Sequence, residues 1–434
     1  MRRKLNFMMI NLKNLLKNNF IKVSGANGLI TIGKSLFTII SNKVVATIIG
    51  TTGIAMVGQL QSFISIVTLV SNGGFNQGLT KYVAEQKNDK NSVKEFIGTA
   101  FITATILSSL VGIIILVFSK SISGRIFTTG SYFSVLIVFA FTLIFYNLNS
   151  LILAIVNGFQ QYRQYFKINI TTTLVGFLLT VTLVLLFKEY GALLSIVLSQ
   201  SLVFAFAFIY VKKEDWISAF SWKFFEKSKL KLLLRYTAIT VLGALIWPIV
   251  AMIIRTYVIE NISAREAGLW EATRTLNSYI VNIAIGSFSV YLLPKLSSIT
   301  NNVELRNELI SIYKIIIPVT LFSFIFLYIF RDFAVKLLYS KDFIKVSNYL
   351  FLQMVGSFFW MCKVPIMNYI LAKGHTTIYL INELIFALLY VILAIILIPK
   401  FQVQGIQMSF AIYNFGYLVV NILFIRIMLK KKTL

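Results

Sequence analysis

The sequence predicts an all-α polytopic membrane protein, with about twelve transmembrane helices arranged as two six-helix lobes around a central cavity. First, the 434 residues are 58% hydrophobic and only 13% charged, whereas soluble domains carry about 25% charged residues. Second, apolar runs of about 20 residues, the length that crosses a bilayer, recur along the whole chain. Third, lysine and arginine are concentrated in the short connections between these runs, as in membrane proteins.

The apolar runs define the spans and the lobes. The predicted spans are 23–50, 54–82, 93–119, 131–157, 167–187, 191–211, 232–258, 266–294, 307–330, 346–371, 377–398 and 404–428. A basic, aromatic stretch at 212–231 separates the first six spans from the last six. We therefore predict an N-lobe at 23–211, a cytoplasmic linker at 212–231 and a C-lobe at 232–434. Residues 1–22 are predicted to form a basic cytoplasmic segment on the membrane surface.

The positive charge predicts the orientation. Most of the 41 Lys and Arg residues fall on one side when the N-terminus is placed inside, so both termini are predicted to be cytoplasmic. A net charge of +26 could also indicate nucleic-acid binding. The basic residues do not form a patch on a soluble module, however, and we predict no nucleic-acid partner.

Span 1 carries a polar stripe. Polar residues recur there at steps of three and four, which places them on one helical face: Ser24, Asn27, Thr31, Lys34, Thr38 and Ser41. Such a face cannot contact lipid, so it either hydrogen-bonds to neighbouring helices or lines a cavity. Lys34 favours the cavity, because a lone ammonium group binds an anion better than it joins two helices.

Spans 7 and 8 contain a second polar cluster. Arg255 lies near the outer end of span 7, and Glu271 and Arg274 lie one turn apart in span 8. Ser278 continues the polar face of span 8. Two readings stay open, a structural salt bridge and a cavity lining that includes both arginines.

Spans 10 and 11 each contain one charged residue at similar depth, Lys363 and Glu383. A buried pair of this kind is either static or a protonation switch that couples transport to an ion gradient.

The stretch "NGGFNQGLTK" raises the question of a nucleotide site. Gly73 and Gly78 have the spacing of a phosphate-binding loop, but Leu79 stands where that loop has its lysine. The stretch ends a predicted span, so we interpret Gly73 and Gly74 as a helix break with Asn72 and Asn76 beside it. Lys81 then lies at the cytoplasmic mouth, as a membrane anchor or as a contact for a lipid phosphate.

Catalytic chemistry is not indicated. One cysteine (Cys362) and one histidine (His375) exclude an internal disulfide and a His-rich metal site, and no paired carboxylates occupy a long loop. We predict no cofactor and no metal, and a transporter rather than an enzyme. In the predicted cavity basic residues exceed acidic ones, which favours an anionic substrate: Lys34, Lys43, Arg255, Arg274 and Lys363 against Glu271 and Glu383.

Two blocks of sequence carry a family resemblance. "GGFNQGLTKYVAEQKND" at 73–89 and "EAGLWEATRTLNSYIVNIAIGSFSVYLLPKLSSI" at 266–299 resemble the ends of span 2 and the whole of span 8 in the O-antigen translocases. That group includes the flippase for the enterobacterial common antigen lipid. It belongs to the multidrug/oligosaccharidyl-lipid/polysaccharide exporter superfamily.

The resemblance implies a function. Such proteins translocate undecaprenyl-diphosphate-linked oligosaccharide from the cytoplasmic to the periplasmic leaflet of the bacterial inner membrane by alternating access. It also implies a cationic central cavity, for which Lys34, Arg255 and Arg274 are the candidates, coupling to protons or sodium ions, and membrane partners in glycan assembly. The alternatives are a drug/cation antiporter of the same superfamily, a membrane-embedded polysaccharide polymerase or glycosyltransferase, and a non-transporting scaffold.

Overall fold

The structure of the protein is a computed structural model that describes residues 19–127, 130–299 and 301–430. Within these ranges, the side chains of 19–35, 130, 238–239, 283–291, 293–294, 297–298 and 428–430 are outside the description. The predicted surface segment 1–22 therefore lies largely outside the described residues.

The described chain is helical throughout and contains no β-strand. The helices are α1 (Asn19–Ser71), α2 (Phe75–Glu85), α3 (Lys90–Phe127), α4 (Phe133–Gly158), α5 (Tyr162–Val211), α6 (Lys227–Asn261), α7 (Ala264–Ser298), α8 (Asn302–Ile329), α9 (Arg331–Leu338), α10 (Val346–Ala372), α11 (Thr376–Phe401) and α12 (Val403–Lys430). Within the described ranges, nine helices are long and apolar enough to cross a membrane.

Backbone breaks divide two of the long helices into pairs of spans. Gly50 (φ 65°) interrupts α1, and Lys188 (φ 50°) interrupts α5. Gly73 and Gly74, with φ of 61° and 65°, separate α1 from α2. Glycine adopts these left-handed angles without a steric penalty, so the break predicted at "NGG" is confirmed. Each predicted span coincides with one helical segment, and span 2 continues from α1 into α2.

The break before span 2, at Gly50, and the break within it, at Gly73 and Gly74, mark opposite ends of the bundle, which we call the Gly50 end and the Gly74 end. Roughly 30 Å of helix separates them at 1.5 Å per residue. At the Gly50 end, one apolar cluster joins both halves of the chain, because Val45, Ile49 and Ile54 pack with Leu269 and Ala272. The halves are therefore in close contact at that end.

The stretch between α5 and α6 contains two short 3-10 helices, Asp215–Ala219 and Trp222–Phe224. Its aromatic residues pack on α3: the rings of Phe101 and Phe220 stack with centroids 4.8 Å apart. The linker bounds of 212–231, and the lobe bounds that follow from them, stay a prediction.

Candidate functional site

A charged cluster joins the two halves of the chain near the Gly50 end. Arg255 of α6 contacts Glu271 of α7 through Nη2 and Oε2 at 2.5 Å. Arg274, one turn further along α7, contacts the other oxygen of Glu271 at 2.6 Å. Two guanidinium groups thus share one carboxylate, and the cluster keeps a net charge of +1. The pairing of Glu271 with Arg274 agrees with the spacing in the sequence.

Residues of α1 complete the shell around Arg255. Its Nη1 donates to Gln59 Oε1 at 2.9 Å and to Ser62 Oγ at 3.2 Å. The amide of Gln59 also donates to Thr256 at 2.7 Å. Every one of these bonds crosses between spans 2 and 7, so the cluster is an inter-lobe contact.

Two glycines allow this close approach of α1 and α7. A Cβ at Gly58 would lie 2.9 Å from the Glu271 carboxyl carbon, and a Cβ at Gly268 would lie 1.8 Å from the carbonyl oxygen of Thr51. Small residues are the usual means by which helices pack closely in membranes. The close contact between α1 and α7 therefore depends on glycine at these two positions as well as on the charged residues.

The two arginines differ in exposure. The Arg255 side chain is 0% exposed, whereas that of Arg274 is 45% exposed. The sequence predicts both arginines as cavity cations, but in the structure Arg255 is buried among its hydrogen-bond partners. In this conformation only Arg274 of the two can touch a ligand.

Arg274 lines a cavity of about 280 Å³ formed by the second half of the chain, which we call the C-lobe cavity. Asn277, Ser278, Gln353 and Ser357 provide neutral polar groups, and Asn277 donates to Ser357 at 2.7 Å. The rest of the wall is mainly aromatic: Trp247, Trp270, Trp360, Tyr390, Phe410 and Tyr413.

A second cavity, of about 360 Å³, lies between α1 and α5, and we call it the N-lobe chamber. No charged residue occurs among its lining residues within the described part of the chain. Its polar lining residues are Thr38, Ser41, Asn42, Gln61, Thr172, Thr173, Thr180, Ser195, Ser199 and Gln200. Thr38 and Ser41 belong to the polar stripe of span 1. The side chains of Asn27, Thr31 and Lys34, from the same stripe, lie outside the described residues.

The amides beside the Gly73–Gly74 break line a third cavity, of about 290 Å³. Asn72 donates to Asn76 at 2.8 Å, and Asn76 donates to Ser150 at 2.5 Å. Asn147 donates to both Ser71 and Ser108, so it holds helices together. A nucleotide-binding loop is not formed, because the two glycines separate two membrane helices instead of joining a strand to a helix.

Lys81 lies on α2 near the Gly74 end, with a side chain 40% exposed. Its ammonium nitrogen is 3.9 Å from Glu85 Oε1 and 4.7 Å from the centroid of the Tyr236 ring. These partners compensate part of its charge and leave it accessible.

Lys363 and Glu383 lie close together, but within the described structure they do not form the direct ion pair that the sequence suggests. Tyr417 contacts both residues: Lys363 Nζ lies 3.9 Å from the Tyr417 ring centroid, and the Tyr417 hydroxyl donates to Glu383 Oε1 at 3.4 Å. Lys363 is 0% exposed and its ammonium group has no hydrogen-bond partner among described residues. Tyr417 of α12 therefore connects Lys363 with Glu383.

Lys43 corrects the sequence interpretation. The sequence places Lys43 among the cavity cations, but its ammonium group donates to the carbonyl of Lys336 at 2.6 Å and to that of Tyr339. These carbonyls end the short helix α9, and a cation at a helix C-terminus is a stabilising contact.

Sequence reasoning missed several lining residues. Gln59 and Ser62, the partners of Arg255, stand three residues apart, about one turn, in span 2. The hydroxyl and small residues Thr172, Gly176 and Thr180 recur at steps of four in span 5. This stripe has the same spacing as that of span 1 and could have identified the chamber.

The comparisons with known proteins agree on one type of protein. Residues 44–348 match the model of a family described as polysaccharide biosynthesis protein. The Lipid III flippase of Escherichia coli (strain K12) is 24% identical over 391 residues, which cover 89% of this chain and 92% of that protein, and the Lipid III flippase of Shigella flexneri matches equally.

Solved structures match the fold. An inward-facing multidrug resistance MATE family transporter of the MOP superfamily superposes with a TM-score of 0.74 at 16% identity, over 93% of this chain and 98% of that one. The outward-facing form of a MATE family transporter gives 0.66 at 19% identity, over 96% and 97%. A MOP superfamily transporter from Pyrococcus furiosus, described as having a binding pocket of reverse polarity, gives 0.67 at 18% identity, over 94% and 95%.

Proposed function

The chain belongs to the polysaccharide biosynthesis protein family, and from that premise we propose that it flips a lipid-linked oligosaccharide across the membrane. Its curated relatives are named flippases and its structural neighbours are transporters, so the chain is a multi-pass membrane transporter rather than an enzyme. The substrate that we propose is undecaprenyl-diphosphate-linked oligosaccharide, the repeat unit of O-antigen or a related surface glycan. It would move from the cytoplasmic to the periplasmic leaflet of the bacterial inner membrane.

One observation carries the proposal in the molecule itself: a half-exposed arginine, Arg274, faces a largely aromatic cavity from a cluster that keeps a net positive charge. Arginine binds phosphate oxygens through two parallel N–H donors, which suits a diphosphate. The neutral Asn277 and Ser278 beside it suit the hydroxyl groups of a sugar. Asn27, Thr31 and Lys34 belong to the same proposal on the sequence alone, whereas Thr38 lines the N-lobe chamber.

The cluster around Glu271 supplies a gate for alternating access. In the proposed orientation the Gly50 end is periplasmic, and the bonds of Arg255 to Gln59 and Ser62 close that end. Opening to the periplasm requires these bonds to break and spans 2 and 7 to separate. Arg255 thus acts as a latch in this state and gains access to the substrate only when the gate opens.

Lys81 and the amides Asn72 and Asn76 occupy the opposite, cytoplasmic end in this proposal. There Lys81 meets the diphosphate as the lipid enters. The Lys363–Tyr417–Glu383 contact provides a buried, titratable group in the C-lobe for coupling to protons or sodium ions. A static pair is the alternative, and substitutions of Lys363 and Glu383, singly and together, separate the two.

A drug/cation antiporter is the second candidate, because the structural neighbours include multidrug transporters. Such a protein needs acidic groups that face its cavity. Here the one acidic group of the cluster, Glu271, is 6% exposed and already shared by two arginines, so anion transport is favoured.

A two-part experiment tests the function. The gene is expressed in a strain that lacks its own lipid-linked oligosaccharide flippase, and the purified chain is reconstituted in vesicles that contain a fluorescent undecaprenyl-diphosphate-linked sugar in the outer leaflet. We expect restored surface glycan and protein-dependent exposure of the sugar to the opposite leaflet. Protein-independent scrambling together with failed complementation would reject the proposal.

A further inference from the structure

The N-lobe chamber differs in chemistry from the C-lobe cavity. Its walls come from both halves of α1 and both halves of α5, and its volume of about 360 Å³ is in the range of small-molecule sites. Among its described lining residues ten are neutral and polar, and none is charged. A diphosphate would find no counter-charge among these groups, whereas an uncharged polar ligand would find many hydrogen-bonding groups.

The hydrogen bonds that these polar groups already make indicate which kind of ligand they can bind. Thr172 and Thr173 donate their hydroxyl hydrogens to helix carbonyls at 2.8 and 2.9 Å, which leaves their oxygen lone pairs as acceptors. The side chains of Ser41 and Gln61 have no hydrogen-bond partner within the described chain and can donate as well as accept. A ligand with closely spaced groups that both donate and accept fits this set, and sugar hydroxyls have this property.

The chamber also has an apolar surface beside its polar groups. The rings of Phe37 and Phe177 lie on its wall with centroids 5.2 Å apart. Sugar rings present C–H groups as well as hydroxyls, so a wall of this mixed kind suits them better than an ion.

The chamber lies beside the charged cluster. Gln61 lines the chamber, while Gln59 and Ser62 on the same helix bind Arg255. Gln59 and Gln61 are two positions apart on the helix, so their side chains point in nearly opposite directions. Span 2 therefore separates the chamber from the charged cluster.

We infer that the N-lobe chamber is a binding site for an uncharged sugar of the transported lipid, separate from the site of its diphosphate. This inference rests on the proposed function. The chamber then confers selectivity for the glycan, and the cationic cluster binds the group that all such lipids share.

The test compares two probes on the full-length protein in nanodiscs: undecaprenyl diphosphate, and undecaprenyl diphosphate linked to one N-acetylglucosamine. Wild-type protein should bind the sugar-linked probe more tightly. Changing Thr172, Thr173 and Thr180 together to Val removes three hydroxyls at nearly constant volume. This triple variant should bind the sugar-linked probe about tenfold more weakly, since it loses hydrogen bonds to the sugar, and should bind the bare diphosphate as wild type does.

Two further variants control the result. Gly176→Leu places a side chain in the chamber, where a Cβ meets only Ser199 at 3.9 Å, and should give the same selective loss. Thr171→Val changes a neighbouring hydroxyl that contacts Tyr210 outside the chamber and should change neither affinity.

The outcomes separate this inference from the proposed function. Equal wild-type affinities for the two probes, or an equal loss of both in the triple variant, would overturn the sugar site and leave the flippase function standing. If wild-type protein binds neither probe, the proposed function fails and the sugar site fails with it.

Discussion

The two halves of the chain bury polar residues of different kinds. The buried charged residues among described side chains, Arg255, Glu271, Lys363 and Glu383, all belong to the second half. The buried polar residues of the first half, within the described set, are amides and hydroxyls such as Gln59, Ser62, Asn147 and Ser195.

This difference supports the division of tasks that we propose for the two halves. Neutral groups satisfy one another inside a membrane at little cost, and they can form a fixed scaffold or a site for a neutral ligand. Buried charges require partners, so a movement that separates them changes the energy steeply. The charged half therefore suits anion binding and switching, and the neutral half suits recognition of uncharged groups. Four predictions test the comparison, from the largest expected effect to the smallest.

Glu271→Gln should have the largest effect. It leaves Arg255 buried without its counter-charge, and breaking a buried pair costs about 3–5 kcal/mol. We expect a marked fall in the thermal unfolding temperature in detergent and loss of transport. Glu260→Gln, an exposed position on α6, is the control. If both variants unfold at the wild-type temperature, the cluster does not hold the lobes together.

Arg274→Gln should reduce transport more than stability. Its side chain is 45% exposed, and Glu271 keeps Arg255 as a partner when Arg274 is replaced. Loss of a charged contact to the diphosphate should lower the flipping rate at least tenfold, which corresponds to about 1.4 kcal/mol. The rate is measured in vesicles, with Arg265→Gln on the same helix as the control. A wild-type rate would remove Arg274 from the substrate site.

Lys363→Met and Glu383→Gln test the buried contact through Tyr417. Each single change leaves one charge without its partner, so the double variant should be more stable than additivity predicts, by about 1 kcal/mol. Unfolding of the four proteins gives the coupling energy. A static pair predicts this coupling with unchanged ion dependence of transport, whereas a switch predicts that Glu383→Gln also removes the response to a proton or sodium gradient. Strict additivity would mean that the two residues do not interact.

Asn147→Ala should have the smallest effect. It removes hydrogen bonds to Ser71 and Ser108, and such bonds in membrane proteins contribute about 0.6 kcal/mol each. We expect a small loss of stability and near-normal transport. A loss as large as that of Glu271→Gln would contradict the view that the first half is a neutral scaffold.

Helix positions were predictable because they depend on local sequence. Runs of apolar residues, the glycines at 73 and 74 and the basic connections are enough to locate each span, and the structure agrees with them. The i,i+3 spacing of Glu271 and Arg274 allowed an ion pair as one of two readings, and the structure contains that pair. Lys43 was misassigned because its partners, the carbonyls of Lys336 and Tyr339, belong to a helix that the sequence does not connect to span 1.

The sequence by itself determined the class of protein, the order and length of its helices and the excess of positive charge. Only the tertiary structure decided which polar groups share a site. Arg255 is sealed by Gln59 and Ser62, almost two hundred positions earlier, and Tyr417 comes between Lys363 and Glu383. The physical reason is that apolar length and charge are properties of a segment, whereas the exposure of a buried charge depends on helices that meet only when the chain has packed.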